Sequence, residues 1–356
     1  MWKKSLFISL IVVLLFGATG CIKIKKDTVQ TGNLGGIFLS ADRMETWKHS
    51  SLLMTPGETP GSIGGVNSYF MKIDPSDSNA LYVGTRENGL YYSYNGGAGW
   101  TLSKGLGAES FVRDLAIDPK NKCRLYALVG TKVYVSADCA RTWKETFYTD
   151  SSAKYTSVVA VDWFDPKVVW VGLSDGSLHK SEDFGKSWRP IKKFPKRVRR
   201  ISIDSFDSRQ VYVGISGVGV YKTADKGDSW TTLTDGMKDF KGAKSYYSYA
   251  ISSGSKDLVL YASKFGLLRS LDGGSTWSEI DILSNPGEEL IYSVVIDPSN
   301  ANNIYYSTDK ALYKSLDGGT NWIVKKMPTT RVARQLLIHP KDGTKIYMAA
   351  LAVLSN

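Results

Sequence analysis

Residues 270–277 read SLDGGSTW and residues 315–322 read SLDGGTNW. The octad recurs with Ser or Thr first and Trp last. It is SADRMETW at 40–47, SYNGGAGW at 93–100, SADCARTW at 136–143, SEDFGKSW at 181–188 and TADKGDSW at 223–230. Successive copies start 53, 43, 45, 42, 47 and 45 residues apart, and seven of the ten tryptophans close one. A repeat in the mid-forties therefore runs the length of the sequence.

The octad has the chemistry of a tight turn. Ser and Asp side chains accept hydrogen bonds from nearby backbone N–H groups. Glycine supplies a positive φ. The tryptophan folds back as an apolar plug. Asp42, Asn95, Asp138, Asp183, Asp225, Asp272 and Asp317 are thus read as turn formers. Trp47, Trp100, Trp143, Trp188, Trp230, Trp277 and Trp322 are read as plugs. Asn95 in the second copy suits a turn and would not suit an acid.

The residues ahead of each octad repeat as well. Ile73-Asp74-Pro75 leads to Leu81-Tyr82-Val83-Gly84 and then Gly89-Leu90-Tyr91-Tyr92; Ile117-Asp118-Pro119 leads to Leu125-Tyr126-Ala127 and Val133-Tyr134-Val135. Val211-Tyr212-Val213, Val259-Leu260-Tyr261 and Ile304-Tyr305-Tyr306 continue the series. Short β-branched and aromatic runs bounded by Gly, Pro, Asn and Asp read as strands. Each unit gives an inner, a second and a third strand, then the octad turn and an outer strand. Four-stranded units of this period are propeller blades. The expected fold is all-β: a single seven-bladed β-propeller over residues 34–356. Gly36-Ile37-Phe38-Leu39 and the first octad are expected to share the closing blade with Leu337-Ile338 and Ile346-Tyr347-Met348.

The octads resemble the Asp-box, or BNR, repeat, S-x-D-x-G-x-T-W. Several families carry it. Sialidases pair it with six blades and an F/Y-R-I-P motif absent here. Sortilin-type receptors add Cys-rich modules, also absent. The xyloglucan-type endoglucanases are similar in blade pattern, but join two propellers and place an acid on each side of the cleft. Their early catalytic Asp precedes the Gly of a second-to-third strand loop. The matching stretch is Thr85-Arg86-Glu87-Asn88-Gly89, with Arg86 in the Asp position and Glu87 beside it. A glycosidase needs two carboxyl groups about 5–10 Å apart, so the expectation is that the chain is not an enzyme. The single-propeller photosystem II assembly/stability-factor-like proteins resemble it too. That resemblance implies a non-catalytic scaffold whose basic face receives a protein or peptide, here expected to be acidic. Polysaccharide binding or hydrolysis is the alternative.

The N-terminus reads as an export signal. Lys3 and Lys4 precede an apolar run over 6–16, and Ala18-Thr19-Gly20 lead to Cys21. The run is too short to span a bilayer, which takes roughly 20 residues. It resembles a bacterial lipoprotein signal: residues 1–20 removed, Cys21 lipidated, 21–33 a tether. That places the chain on the outer face of a bacterial membrane. Cys123 and Cys139 remain, and pairing Leu125 with Val135 brings them close enough for a disulfide in an oxidising compartment.

Lys plus Arg number 45 against 34 Asp plus Glu, a net charge of +11. For an exported protein the excess points to an acidic partner or a lipid surface rather than nucleic acid. With three Cys and three His, no metal site or cofactor is expected. Five residues before each inner-strand turn (Asp74, Asp118, Asp204, Asp297, His339) lie Tyr69, Arg113, Arg199, Tyr292 and Arg334, which should converge at the channel mouth. The run from Arg189 to Arg200, with Lys192, Lys193, Lys196 and Arg197, and the cluster Tyr246, Tyr247 and Tyr249 are expected on the same face. Asp114 and Glu289 are the acids that could neutralise those arginines.

Overall fold

In the computed structural model, residues 32–54, 59–149, 151–284 and 287–352 are described. The signal segment, Cys21 and most of the tether lie outside them. Seven four-stranded antiparallel sheets follow one another along the chain. Blade 1 opens with the inner strand Ser68–Ile73, blade 2 with Val112–Asp118 and blade 3 with Thr156–Val161. Blade 4 opens with Val198–Ile203, blade 5 with Tyr246–Ile251 and blade 6 with Ser293–Asp297. Blade 7 is built from both ends of the chain. Val332–His339 and Asp342–Leu351 are its inner strands, and Gly36–Ser40 and Lys48–Ser50 its outer ones. Ile37 pairs with Ala349 and Phe38 with Met348, so the ring closes as the repeat arithmetic requires.

Each octad folds identically. In the first, the Met44 N–H donates to Ser40 Oγ at 2.8 Å, and the Thr46 N–H and hydroxyl donate to Asp42. Two successive residues then take positive φ: Gly273 and Gly274 in one copy, Gly318 and Gly319 in another, but Arg43 and Met44 in the first. Trp100 is fully buried, and its indole N–H donates to the Ser50 carbonyl. The other plugs are partly buried. Hydrogen bonds, first from Thr142, Ser187 and the Asn321 N–H, hold Asp138, Asp183 and Asp317 down to about 2.

The core lies between adjacent blades. Trp170, Phe194, Val198, Val211 and Val213 form one such layer, Tyr82, Leu90, Leu115 and Leu125 another. The outer strands are short and charged; Arg189–Lys193 leaves four of its five side chains exposed, which blunts a sheet edge against further pairing.

Two register details differ from the sequence reading. Leu125 faces Ser136, and Tyr126 faces Val135, one residue from expectation. The box turn still meets the strand start: the Cys139 N–H donates to the Cys123 carbonyl at 3.1 Å, and the two cysteines form a disulfide. The basic run also divides. Arg189, Lys192 and Lys193 belong to the outer edge of blade 3, where Arg189 meets Glu182 and Lys193 meets Asp175 at 2.6 Å. Phe194 then turns into the core, and only the stretch from Arg197 starts an inner strand.

Candidate ligand site at the channel mouth

At the start of the inner strand in six of the seven blades the register skips a residue, and in blade 6 Tyr292 stands just before the strand. Ser68 faces Thr85 and Phe70 faces Gly84, so Tyr69 has no partner. Ser157, Arg199, Tyr247 and Arg334 are extra residues in the same way. A register shift at Arg113 and Asp114 does the same in blade 2. Such bulges bend the strand and re-aim a side chain. The facing glycine leaves the room: a Cβ on Gly84 would sit 1.9 Å from Phe70, and one on Gly214 2.8 Å from the Tyr246 hydroxyl.

The structure completes the ring whose members the repeat offset reached only in part. Asp162 caps the turn of blade 3, accepting from the Phe164 and Asp165 N–H groups, and Ser252 does so in blade 5. Five residues earlier stand Ser157 and Tyr247. Round the mouth, blade by blade, are Tyr69, Arg113, Ser157, Arg199, Tyr247, Tyr292 and Arg334. All seven line one cavity of about 300 Å³, joined by Arg197, Arg200 and Tyr246. Lys196 is exposed outside it, with its Nζ over Gly217. Tyr249 is core: its hydroxyl donates to the Tyr212 carbonyl at 3.0 Å. Arg86, missed as a site residue, lines an adjoining cavity of about 290 Å³ with Tyr247, Leu290, Tyr292 and Leu351. Its position in the second-to-third strand loop was the available signal.

The arginines are not neutralised internally. Asp114 pairs with Lys72 at 3.0 Å and accepts from the Val159 N–H; Glu289 pairs with Lys310 at 2.9 Å. Among the described residues no carboxylate lies within 4.0 Å of Arg113, Arg197, Arg199, Arg200 or Arg334. Aromatic faces hold four of them instead, all but Arg199. Arg113 lies 4.2 Å from the Phe111 ring and 4.4 Å from Tyr155, Arg334 lies 5.0 Å from Tyr69, and Arg200 lies 5.0 Å from Tyr249. Cation–π contacts of this kind favour Arg over Lys. Arg197 Nε is buried with no hydrogen-bond partner.

Crowding shifts the pKa values of the mouth residues. Burial works to raise the Tyr69 phenol, but Arg334 and Arg197 overcome it and bring it down to about 8. Burial lowers Arg113, and the like charge of Arg197 adds to it. Arg199 keeps a solvent-exposed face, yet the protein atoms around it lower its pKa too, with Arg334 and Arg197 contributing. The mouth is a preorganised positive cluster whose own repulsion an incoming anion would relieve.

No family model matches the chain. The xyloglucanase Xgh74A of Acetivibrio thermocellus is 29% identical over 180 residues, covering 46% of this chain and 17% of that protein. The match thus spans less than a fifth of the relative. The GH74 xyloglucanase from Xanthomonas campestris superposes with a TM-score of 0.64 at 20% identity, over 81% of this chain and 51% of the other. A structure of YCF48 bound to D1 peptide gives a TM-score of 0.62 at 12% identity, over 82% of this chain and 94% of that one. The fold is the seven-bladed propeller common to both. The expectation that the chain is not an enzyme is corrected here, because the sequence relatives are xyloglucanases. The number of propellers was too narrow a ground for excluding catalysis.

Proposed function

We propose that this propeller engages a polysaccharide chain at its channel mouth, in the manner of a glycoside-hydrolase-type propeller. The observation that carries the reading is an open mouth walled by Tyr69, Tyr247 and Tyr292, in a chain whose sequence relatives are xyloglucanases. Tyrosine faces offer apolar platforms for sugar rings, and the guanidiniums offer donors to hydroxyls. Hydrolysis would draw on Asp114 inside the cavity and Glu87 beside Arg86, since two carboxyl groups are needed. The test is a panel of neutral and acidic oligosaccharides, read by calorimetry and by release of reducing ends. Retention lost in Tyr247→Ala and Tyr292→Ala supports the reading. Neither binding nor release across the panel removes it.

A peptide is the second reading, favoured by the likeness to YCF48 over almost that whole chain. Capture of one stoichiometric protein from solubilised membranes, lost in Arg199→Glu/Arg200→Glu, would replace the first reading.

We also read the chain as exported. The disulfide fits an oxidising compartment, and the basic and apolar pattern of residues 1–20 fits a cleaved signal. Lipidation at Cys21, with 21–33 as tether, completes this proposal. Metabolic labelling with a fatty acid, abolished in Cys21→Ser, checks it; an unlabelled wild-type chain would refute it.

A further inference from the structure

The two cavities at the mouth differ in chemistry. The first gathers Arg113, Arg197 and Arg334 around Tyr69, with no carboxylate among the described residues bonded to any of the three. The adjoining one adds the apolar and aromatic side chains Tyr247, Leu290, Ile291, Tyr292 and Leu351 beside Arg86, Arg199 and Arg334. Tyr69, Arg199, Tyr247, Tyr292 and Arg334 line both, so a single ligand can occupy them together.

We propose that the mouth is a subsite for a uronic-acid residue of an acidic polysaccharide. The carboxylate sits among Arg113, Arg197 and Arg334, and the sugar's C–H face lies on Tyr247 and Tyr292. The proposal rests on the glycan reading above and adds the charge of its ligand. Three observations carry it. Asp114, the one acid among the described residues lining either cavity, is already held by Lys72, so the missing counter-charge comes from outside. Arg197 Nε is a buried donor with nothing to bond. Guanidiniums bind carboxylates through paired N–H donors, a geometry ammonium groups lack. A uronic acid carries its carboxylate directly on a ring with an apolar face, matching a charged floor beside an aromatic shelf. An acidic peptide side chain presents the charge without the ring.

The test is calorimetric titration of the full chain with tetramers of galacturonate, mannuronate and glucuronate, each beside its methyl ester. Oligoglutamate and a neutral xyloglucan oligosaccharide are controls. At least one acid is expected to bind about tenfold or more tightly than its ester, the scale of one charge-assisted hydrogen bond. Arg113→Gln and Arg334→Gln should each erase that preference, and Tyr247→Ala should weaken acid and ester alike. The two arginines sit in different blades, so misfolding of one variant, seen in its melting curve, leaves the other informative. Equal affinity for acid and ester overturns the charge inference and leaves the glycan reading standing. Binding of no glycan overturns both. Oligoglutamate binding as tightly as the best uronide overturns the commitment to sugar.

Discussion

Arg331 is the residue whose loss should cost the propeller most per atom removed. It is 9% exposed and pairs with no acid among the described residues. Its guanidinium donates to the carbonyls of Val66 at 3.0 Å and Gly65 at 3.1 Å, and to the side-chain oxygens of Asn33 and Asn67 at 3.1 Å each. Those acceptors belong to the strap before blade 7's outer strands and to the approach to blade 1. The side chain therefore bolts the start of blade 7's inner strand to the N-terminal strap and the approach to blade 1, across the seam that strand pairing inside blade 7 closes. Gly35 leaves the space, since a Cβ there would lie 2.2 Å from Arg331 Nη1. Hydrogen bonds to a charged donor contribute roughly 1.5–3 kcal/mol each when buried and less when part-exposed. One of the four is buried, and desolvating the guanidinium offsets part of the gain, so Arg331→Met should lose about 3 kcal/mol. At about 2–4 °C per kcal/mol for a large domain, the melting midpoint should fall by roughly 6–12 °C. Arg331→Lys should recover less than half, because one ammonium cannot reach four acceptors. Urea denaturation with a constant slope is the assay. A shift under about 0.5 kcal/mol for Arg331→Met, the range of an ordinary surface change, would refute the view that ring closure depends on this bolt.

Other outcomes follow from the same structure. The disulfide spans 16 residues, so Cys123→Ala/Cys139→Ala should lose about 3 kcal/mol in the chain-entropy model, and thiol titration of the unreduced, unfolded chain should find neither cysteine reactive. Asp138, Asp183 and Asp317 are held at about 2 in the fold, below an unfolded value of about 3.9. Their contribution is present above about pH 4 and lost as pH falls towards 2, so the melting temperature should drop across that window, and each Asp→Asn variant, with one carboxylate fewer to protonate, should drop less. Lys226 holds φ 60° in its octad turn; Lys226→Gly should gain about 0.5–1 kcal/mol, the left-handed penalty less glycine's entropy, and a loss in urea would count against the turn account. Deleting residues 335–356 removes most of blade 7's two inner strands and should yield aggregate by light scattering; a monodisperse truncation would contradict ring closure.

The fold was legible because its signal is local and repeated seven times. The octad specifies a turn through bonds made within four residues, such as Ser40 to Met44, so tertiary context has little to override. The mouth was legible in part for the same reason: a fixed offset from each turn found Tyr69, Arg113, Arg199, Tyr292 and Arg334. It missed Ser157, because Asp162 and Asp165 compete for the turn. It also placed Arg189, Lys192 and Lys193 on the wrong surface, because a charge run carries no mark of where a strand ends. Phe194, turning inward, is that mark. Arg331 carried no signal at all, since its partners are backbone carbonyls and two asparagines about 265 to 298 residues away along the chain.

Within one propeller the repeat separates what builds the ring from what the ring presents. Positions that must make the same bonds in every blade stay nearly constant: Ser or Thr at the octad start, Asp or Asn third, Trp last. The mouth position has no ladder partner to satisfy in the six blades where it is bulged, so folding restricts it little, and round the ring it runs Tyr, Arg, Ser, Arg, Tyr, Tyr, Arg. If these residues only filled the channel, small or apolar side chains would serve at lower cost than guanidiniums that repel one another and go without acids. A fold that accepts this repulsion at one face, while pairing Asp114 with Lys72 and Glu289 with Lys310, is what the proposed ligand site requires. Substituting the bulged arginines should therefore leave the melting midpoint unchanged or raise it, as Arg331→Met lowers it, and that opposition in sign separates the residues that hold the ring from those that use it.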